Sequence, residues 1–255
     1  MIERRRLLLM RHGAVEYFDA QGQAVPPDAV PLTAAGVAQA RAMGQALAAH
    51  GVRVDRVVTS GLTRTRMTAR EVLAGLGSRL QPQEEPALQE IRPGRLADIP
   101  PAHLRAAFLG AFEGPVQRSV PFLGGETIGA LLDRVLPALR ALLAADGWDT
   151  LLLVLHGGVN RAILSWFLTG EEVFLGGLAQ DPGCLNVIDV GPTPATSVVR
   201  VVNFCALDPL LTTTRLSTME HLLHQYLQLR ALRHAAGTRP DAGGDQDPSD
   251  ERSDH

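Results

Sequence analysis

Short runs of consecutive apolar residues alternate along the chain with longer stretches in which apolar residues recur every three or four positions. Unbroken runs are typical of strands buried on both faces, and the longer spacing is typical of helices that bury one face. Their alternation predicts an α/β fold, a three-layer α/β/α sandwich around a mostly parallel sheet. The predicted strands are residues 7–10, 54–59, 150–155, 185–190 and 198–203, and the predicted helices are residues 33–50, 60–76, 127–144, 159–168 and 216–235.

Polar residues mark the positions where several of these helices should begin. Thr33 and Thr127 each precede a helical stretch, so each is predicted to cap its helix through the side-chain oxygen. Ser60 or Thr63 is predicted to cap the helix that ends near Leu76 in the same way.

Residues 92–124 interrupt the alternation, because five prolines surround a single short helical stretch at residues 103–112. This segment is predicted to be a helical insertion over the carboxyl-terminal edge of the sheet rather than a separate domain. The apolar face of the insertion is expected to contact apolar surface of a ligand bound at that edge. That face consists of Leu104, Phe108, Leu109 and Phe112.

The pattern predicts one α/β domain followed by two C-terminal segments. Residues 1–215, including the insertion, form the predicted domain, and residues 216–235 form a helix predicted to dock on it. A homodimer contact through this helix is an alternative. Residues 236–255 are rich in Gly, Asp and Pro and lack large apolar side chains, so they are predicted to be disordered.

Charge and composition exclude several classes of protein. The net charge of −3 provides no basic field of the kind that nucleic-acid-binding proteins use. All 24 basic residues are arginines, so a P-loop lysine, a Schiff-base lysine and a kinase lysine are excluded. Two cysteines, Cys184 and Cys205, are expected to be buried thiols, and no apolar run is long enough to span a membrane. These features predict a cytoplasmic protein.

Polar side chains follow three of the predicted strands. Arg11 and His12 follow the first, Ser60 and Arg64 follow the second, and His156 follows the third. Because open α/β sheets bind ligands at the carboxyl ends of their strands, these side chains are expected to meet there. Arginine matches phosphate oxygens bidentately, and a histidine in such a site can attack phosphorus. The pattern therefore predicts a phosphate site.

The same residues lie in motifs that resemble those of the histidine phosphatase superfamily, which is also called phosphoglycerate mutase-like. The resemblance covers roughly residues 5–205, and its motifs occur in the family's order. The motifs are residues 8–13 (LLMRHG), 32–40 (LTAAGVAQA), 60–69 (SGLTRTRMTA), 88–94 (LQEIRPG), 124–127 (GGET) and 155–161 (LHGGVNR).

The resemblance implies a metal-independent phosphatase that needs no cofactor and acts on a small phosphorylated substrate. His12 would accept the phosphoryl group, and Glu90 would act as general acid and then as general base. The phosphoryl oxygens would be held by Arg11, Arg64, His156 and the backbone N–H of Gly157. Asp98 and Glu126 are the alternative acids, although Glu126 is expected to cap a helix or orient a neighbour.

Departures from the family pattern leave three other functions open. Ala14, Val15 and Phe18 replace polar residues that family members often carry after the first histidine, which keeps open a weakly catalytic phosphate-binding protein. A phosphoglycerate mutase is disfavoured because Arg92 and Pro93 follow Glu90 and no lysine is present. A phosphoprotein phosphatase is the third alternative, and an open pocket would favour it.

Overall fold

The computed structural model describes residues 3–19, 25–213 and 215–237. Strands and helices alternate as the sequence predicted, and the short stretch from Leu104 to Leu109 is helical inside the insertion. The strands are β1 (Arg5–Arg11), β2 (Arg56–Thr59), β3 (Gln83–Glu84), β4 (Pro115–Val116), β5 (Thr150–Leu155), β6 (Phe174–Leu175), β7 (Leu185–Val190) and β8 (Val198–Phe204). The helices are α1 (Ala34–Ala49), α2 (Thr63–Leu76), α3 (Leu104–Leu109), α4 (Ile128–Ala144), α5 (Gly157–Thr169) and α6 (Thr218–Gly237).

The central sheet has six strands in the order β3-β2-β5-β1-β7-β8. Strands β3, β2, β5 and β1 are mutually parallel, whereas β7 is antiparallel to β1 and β8 is antiparallel to β7. The carboxyl ends of β1, β2 and β5 therefore meet at one edge, which the start of β7 also reaches. The predicted mostly parallel sheet is confirmed.

Side chains of the central strands point alternately into two cores, and this alternation explains the unbroken apolar runs. Leu7 and Leu9 of β1 pack on the side of α4 and α5, whereas Leu8 and Met10 pack on the side of α1 and α2. The strand next to it, β5, divides in the same way. Both faces of the sheet are thus covered by helices, which is the predicted three-layer arrangement.

Two of the predicted helix caps are confirmed, and the third is wrong. The Thr33 side chain accepts a hydrogen bond from Gly36 N, and the Thr127 side chain accepts one from Ala130 N. Helix α2 instead begins after Leu62, which has no side chain that can cap it. Neither Ser60 nor Thr63 is the cap, and Ser60 instead bonds to a histidine of the candidate site.

The predicted role of the insertion face is wrong for most of its residues. Leu104, Phe108 and Leu109 are 3–5% exposed and lie in the core cluster that also contains Met219 and Leu223 of α6. An amphipathic helix of six residues can bury its apolar face against either a substrate or a neighbouring helix, and here the neighbour is α6. The helix predicted at residues 216–235 is thus observed, two residues further along the chain, and docked.

Two smaller predictions have mixed outcomes. Cys184 is buried, whereas Cys205 is only half-buried, and both thiols are free.

Disorder was predicted for residues 236–255. Residues 236 and 237 instead belong to α6, and the rest of this segment lies outside the described residues. Among the described residues, no helix combines the length and the apolar character that crossing a membrane requires.

Candidate active site

Strand ends bring the predicted polar residues to one place. Arg11 is the last residue of β1, His12 follows it, and His156 follows β5 directly and precedes α5. The backbone joins the two motifs, because His12 N donates a hydrogen bond to Leu155 O over 3.0 Å. The rings of His12 and His156 meet edge to face, with 5.3 Å between their centroids.

A close backbone contact fixes the loop that carries His12. A Cβ atom on Gly13 would lie 2.4 Å from Gly36 O, and one on Gly36 would lie 2.2 Å from Ala14 O. Only glycine at both positions allows this approach. The Gly13 N–H also donates to Thr68 Oγ1 over 3.1 Å, so the loop is held by both α1 and α2.

A backbone contact determines which nitrogen of the His12 ring carries the proton. Its Nδ1 lies 2.8 Å from Gly13 O, and a carbonyl oxygen can only accept, so Nδ1 carries the proton of the neutral ring. This leaves Nε2 with a lone pair. The ring is 1% exposed, and burial lowers the pKa of His12 well below its usual value of 6.5, with further lowering from Arg11 and Arg64. His12 is therefore neutral at neutral pH.

Arg11, Arg64 and His156, which we call the cradle, each have a buried nitrogen atom without a hydrogen-bond partner among the described residues. Among the described residues, four buried side-chain nitrogen or oxygen atoms lack a partner, and three of these are Arg11 Nε, Arg64 Nε and His156 Nδ1. Native proteins seldom leave such atoms unpaired, because each costs about 1–3 kcal/mol. The three atoms belong to the three side chains predicted to bind phosphate oxygens.

One further nitrogen of each guanidinium group donates hydrogen bonds within the protein. Arg11 Nη1 donates to Gln180 O and to Thr218 Oγ1, the latter over 2.8 Å. Arg64 Nη1 donates to Pro27 O over 2.6 Å. Both guanidinium groups are therefore fixed before substrate arrives, which favours binding of an anion in one geometry.

Glu90 lies beside this cradle at the N-terminus of α5. Gly158 N lies 3.1 Å from both carboxylate oxygens and donates to them, and Ile91 N donates to Oε1 over 3.0 Å. The loop around Glu90 is fixed by Arg134, whose guanidinium donates to the carbonyl oxygens of Ala87, Gln89 and Glu90. The candidate acid thus has a defined position next to the second histidine motif.

The alternative acids have other roles. Glu126 receives two hydrogen bonds from Arg134, at 2.7 and 2.9 Å, and one from Arg92 N at 2.9 Å. These contacts lower its pKa although burial opposes them, so Glu126 is ionised and cannot donate a proton. Asp98 is exposed and lies 4.0 Å from Arg95 Nε. Glu126 therefore orients Arg134, one of the two roles expected for it.

Gly157 lies against the Arg11 guanidinium. A Cβ atom at Gly157 would lie 3.2 Å from Arg161 Nη1 and 3.5 Å from Arg11 Nε. Glycine at this position brings the start of α5 close to the arginine that faces the cradle. The backbone N–H of Gly157 belongs to the first turn of α5, where helix N–H groups and the helix dipole favour an anion.

The three departures from the family pattern have structural contacts here. Ala14 N donates to Gln39 Oε1 over 2.8 Å, and Val15 pairs with Leu32 in an isolated β-bridge. Phe18 packs against Tyr226 of α6 with 6.4 Å between ring centroids. These residues hold the loop and α6 in place, and none of these contacts involves the side chains of the cradle.

Sequence reasoning missed the residues that accept hydrogen bonds from the two arginines of the cradle. Gln180 precedes β7, Pro27 precedes α1, and Thr218 begins α6, so no motif spacing connects them with Arg11 or Arg64. Arg134 was missed because it looks like an ordinary arginine on the polar side of α4. Among the supporting residues, Ser60 alone could be found from the sequence, because it directly follows a predicted strand at the edge where the polar residues meet.

Gly158→Ala is expected to disturb Glu90 selectively. The added Cβ would lie 2.6 Å from Glu90 Oε1 and 3.3 Å from Ile91 Cγ2, so the carboxylate must move. We expect kcat to fall about tenfold, because a displaced acid protonates the leaving group poorly. Gly110→Ala is the control, since a Cβ there meets nothing within 4 Å and the residue is helical. Unchanged kcat for both variants would contradict this position of the acid.

The chain combines an α/β sandwich with a buried cluster of arginines and histidines at the carboxyl ends of its parallel strands. The sequence model of the histidine phosphatase superfamily (branch 1) matches residues 7–203. This range contains every residue of the cradle, His12 and Glu90. The chain therefore belongs to the histidine phosphatase superfamily.

Relatives of known name and structure agree with this assignment. The chain is 32% identical over 204 residues to an adenosylcobalamin/alpha-ribazole phosphatase of Salmonella typhimurium, covering 78% of this chain and 96% of the relative. It is 34% identical over 171 residues to a 2,3-bisphosphoglycerate-dependent phosphoglycerate mutase of Methylobacterium, covering 63% and 79%. The crystal structure of a putative alpha-ribazole-5'-P phosphatase from Escherichia coli superposes with a TM-score of 0.60 at 28% identity, covering 78% and 96%.

Proposed function

We propose that the protein hydrolyses a phosphate monoester of a small molecule through a phosphohistidine intermediate on His12. The observation that carries the proposal is the set of unpartnered nitrogens on Arg11, Arg64 and His156, next to a histidine whose Nε2 is free to attack. No group of three or more His, Cys, Asp or Glu residues that could hold a metal occurs in the described parts of the chain. The positive charge that stabilises the phosphoryl group would come from the guanidinium groups of Arg11 and Arg64.

In the first half-reaction, His12 Nε2 attacks phosphorus and the bond to the ester oxygen breaks. Glu90, in its protonated form, donates its proton to that oxygen, so the alcohol leaves neutral. Arg11, Arg64 and His156 hold the other phosphoryl oxygens as negative charge shifts in the transition state. Because these groups are already fixed by the protein, little reorganisation is needed during the reaction.

In the second half-reaction, the Glu90 carboxylate accepts a proton from water, and the water oxygen attacks the phosphohistidine. The bond between His12 Nε2 and phosphorus breaks, and inorganic phosphate is released. Glu90 is then protonated and His12 is neutral again, so the cycle is closed. A single carboxylic acid thus serves both steps, as acid and then as base.

The share of each relative that the match covers favours hydrolysis over a mutase reaction. The match to the alpha-ribazole phosphatase of Salmonella typhimurium covers 96% of that protein, whereas the match to the mutase of Methylobacterium covers 79%. The absence of lysine from this chain also disfavours a mutase. We therefore propose alpha-ribazole phosphate, sugar phosphates and nucleotide-derived phosphates as the first substrates to test. A mutase remains the second candidate.

The proposal is tested by phosphate release from p-nitrophenyl phosphate in EDTA. The wild type should release phosphate, and a screen of small phosphate esters should follow. A coupled assay for interconversion of phosphoglycerate isomers separates the mutase from the phosphatase. Isomer interconversion without phosphate release would overturn the proposal, as would vanadate binding without any turnover.

The acid limb of the pH profile of kcat/KM should lie well below pH 6.5. This profile reports the ionisation of the free enzyme, in which burial and two arginines lower the pKa of His12. Neutral His12 therefore persists in mildly acidic buffer, where an ordinary histidine would be protonated. The measurement is kcat/KM between pH 4.5 and 8, corrected for ionisation of the substrate. An acid limb centred near 6.5 would contradict the buried, neutral nucleophile.

We further propose that the catalytic domain comprises residues 1–215 and acts in the cytoplasm, with α6 packed on it. Met219 and Leu223 of α6 lie in the main core cluster, and Thr218 contacts Arg11, which supports a docked helix. Burial raises the pKa of the Cys184 thiol to about 12 and that of Cys205 to about 11. Both cysteines are free thiols, as is usual in reducing compartments.

A further inference from the structure

Ser60 forms a hydrogen bond with His156, the histidine of the cradle. Its Oγ lies 2.7 Å from His156 Nε2, and both side chains are completely buried. The other ring nitrogen, Nδ1, has no hydrogen-bond partner among the described residues. The ring is therefore held at Nε2, and Nδ1 is the nitrogen left to contact a bound phosphoryl group.

The position of the His156 proton decides whether the ring attracts or repels a phosphoryl oxygen. Burial, Arg64, His12 and Arg11 keep the pKa of His156 well below its usual value, so the ring is neutral in the free protein. A neutral imidazole carries one proton, which can sit on either nitrogen. A proton on Nδ1 donates to a phosphoryl oxygen, whereas a lone pair on Nδ1 would repel that oxygen.

Hydroxyl groups behind Ser60 determine which tautomer forms. Ser60 Oγ and Thr65 Oγ1 are 3.1 Å apart, and either hydroxyl could donate to the other. Thr65 Oγ1 donates its one proton to Leu62 O over 2.8 Å, because a carbonyl oxygen can only accept, so it cannot also donate to Ser60. The Ser60 proton therefore goes either to Thr65 Oγ1, 3.1 Å away, or to His156 Nε2, 2.7 Å away. The shorter contact favours donation from Ser60 Oγ to His156 Nε2.

We propose that Ser60 is a positioning residue that holds His156 as its Nδ1–H tautomer by donating a hydrogen bond to Nε2. The Thr65 hydroxyl is committed to Leu62 O, so the Ser60 proton is the one that reaches the ring. His156 Nδ1–H then faces the phosphoryl oxygens as a preformed donor. The kinetic part of this inference depends on the proposed phosphatase function, but the tautomer itself does not.

Ser60→Ala should change both the tautomer and the rate. Without the hydroxyl, Nε2 loses its donor and the Nε2–H tautomer becomes accessible, so part of the protein presents a lone pair to phosphate. We expect kcat to fall about ten- to hundredfold, with a smaller change in KM, because the donor acts mainly in the transition state. Ser60→Thr retains the hydroxyl and should recover most of the activity.

Ser165→Ala is the matched control for loss of a buried hydroxyl. Ser165 is as buried as Ser60, and its Oγ donates to Arg161 O and accepts from Leu175 N. Its removal should destabilise the fold by a similar amount without affecting His156. The thermal unfolding midpoint should therefore fall in both alanine variants, whereas kcat should fall only in Ser60→Ala.

Nitrogen-15 NMR of the full chain with labelled histidine decides the matter independently of activity. Two-bond correlations between ring nitrogens and ring protons distinguish the Nδ1–H and Nε2–H tautomers, and the spectrum of His156→Asn assigns the His156 signals. The wild type and Ser165→Ala should show the Nδ1–H pattern, and Ser60→Ala should lose it. An Nε2–H pattern in the wild type, or an unchanged pattern in Ser60→Ala, would overturn the inference. A protein without phosphatase activity would still give one of these spectra.

Discussion

Replacing His12 with alanine should reduce phosphate release by about ten-thousandfold or more, because the reaction loses the atom that accepts the phosphoryl group. The side chain is buried between Arg11 and His156, and its Nε2 is the only ring nitrogen not committed to a backbone carbonyl. The cradle itself does not depend on this ring. The variant should therefore still bind vanadate, which separates loss of the nucleophile from loss of the pocket. The measurement is single-turnover phosphate release in EDTA.

His50→Ala is the control for this variant. His50 is exposed at the end of α1, where its Nδ1 contacts Ala46 O, and it belongs to none of the motifs of the site. We expect the control to retain full activity. Substantial activity in His12→Ala, after removal of contaminating phosphatases, would show that His12 is not the nucleophile.

The second large effect is expected from Glu90→Gln, and its size should depend on the leaving group. Glu90 Oε1 accepts from both Ile91 N and Gly158 N, so the glutamine oxygen can keep these two hydrogen bonds while the proton is lost. An ester of an unactivated alkyl alcohol needs this proton, and its kcat should fall about a thousandfold. The nitrophenolate group leaves without much help, so p-nitrophenyl phosphate should lose only about tenfold.

Glu85→Gln provides the control in the same loop. Glu85 Oε1 accepts from Ala87 N and caps a short turn, so its replacement perturbs the loop without removing the acid. Its kcat values should be near those of the wild type for both esters. Equal losses in Glu90→Gln for the alkyl and nitrophenyl esters would indicate a role in binding instead of proton transfer, and Glu90 would then not be the general acid.

Most of the sheet and the long helices could be predicted from the sequence because local pattern and burial agree there. The runs at β1 and β5 are apolar at every position since each strand has one core on either face. Thr33 and Thr127 combine a capping side chain with a helical pattern directly after it. The strand at residues 54–59 begins two residues later than predicted, at Arg56, because apolar character alone does not define where pairing with β5 starts.

Predictions failed where a side chain had two physically reasonable partners. Ser60 could cap a helix or bond to a histidine, and only the distance of 2.7 Å to His156 Nε2 decides between them. Phe108 could face substrate or another helix, and it packs on Tyr226 of α6 with 5.9 Å between ring centroids. In both cases the deciding partner is distant in the sequence, and no local pattern identifies it.

The placement of the motif residues at strand ends was predictable, because Arg11 ends β1 and His156 follows β5. Arg11, Arg64 and His156 each have a buried nitrogen without a partner among the described residues, and their binding of phosphate stays a prediction. The supporting residues were not predictable. Thr218 and Gln180 reach Arg11 from the last helix and from the loop before β7, so their role depends on tertiary packing.

Trapping of the phosphoenzyme tests the central claim most directly. The wild type is mixed with p-nitrophenyl phosphate, quenched within one turnover in alkali, where phosphohistidine survives, and digested for tandem mass spectrometry and phosphorus NMR. The structure predicts a phosphoryl group on His12, attached at Nε2 because Nδ1 is bound to Gly13 O. A phosphoryl group on another residue, or turnover with no phosphorylated His12 at any quench time, would contradict it.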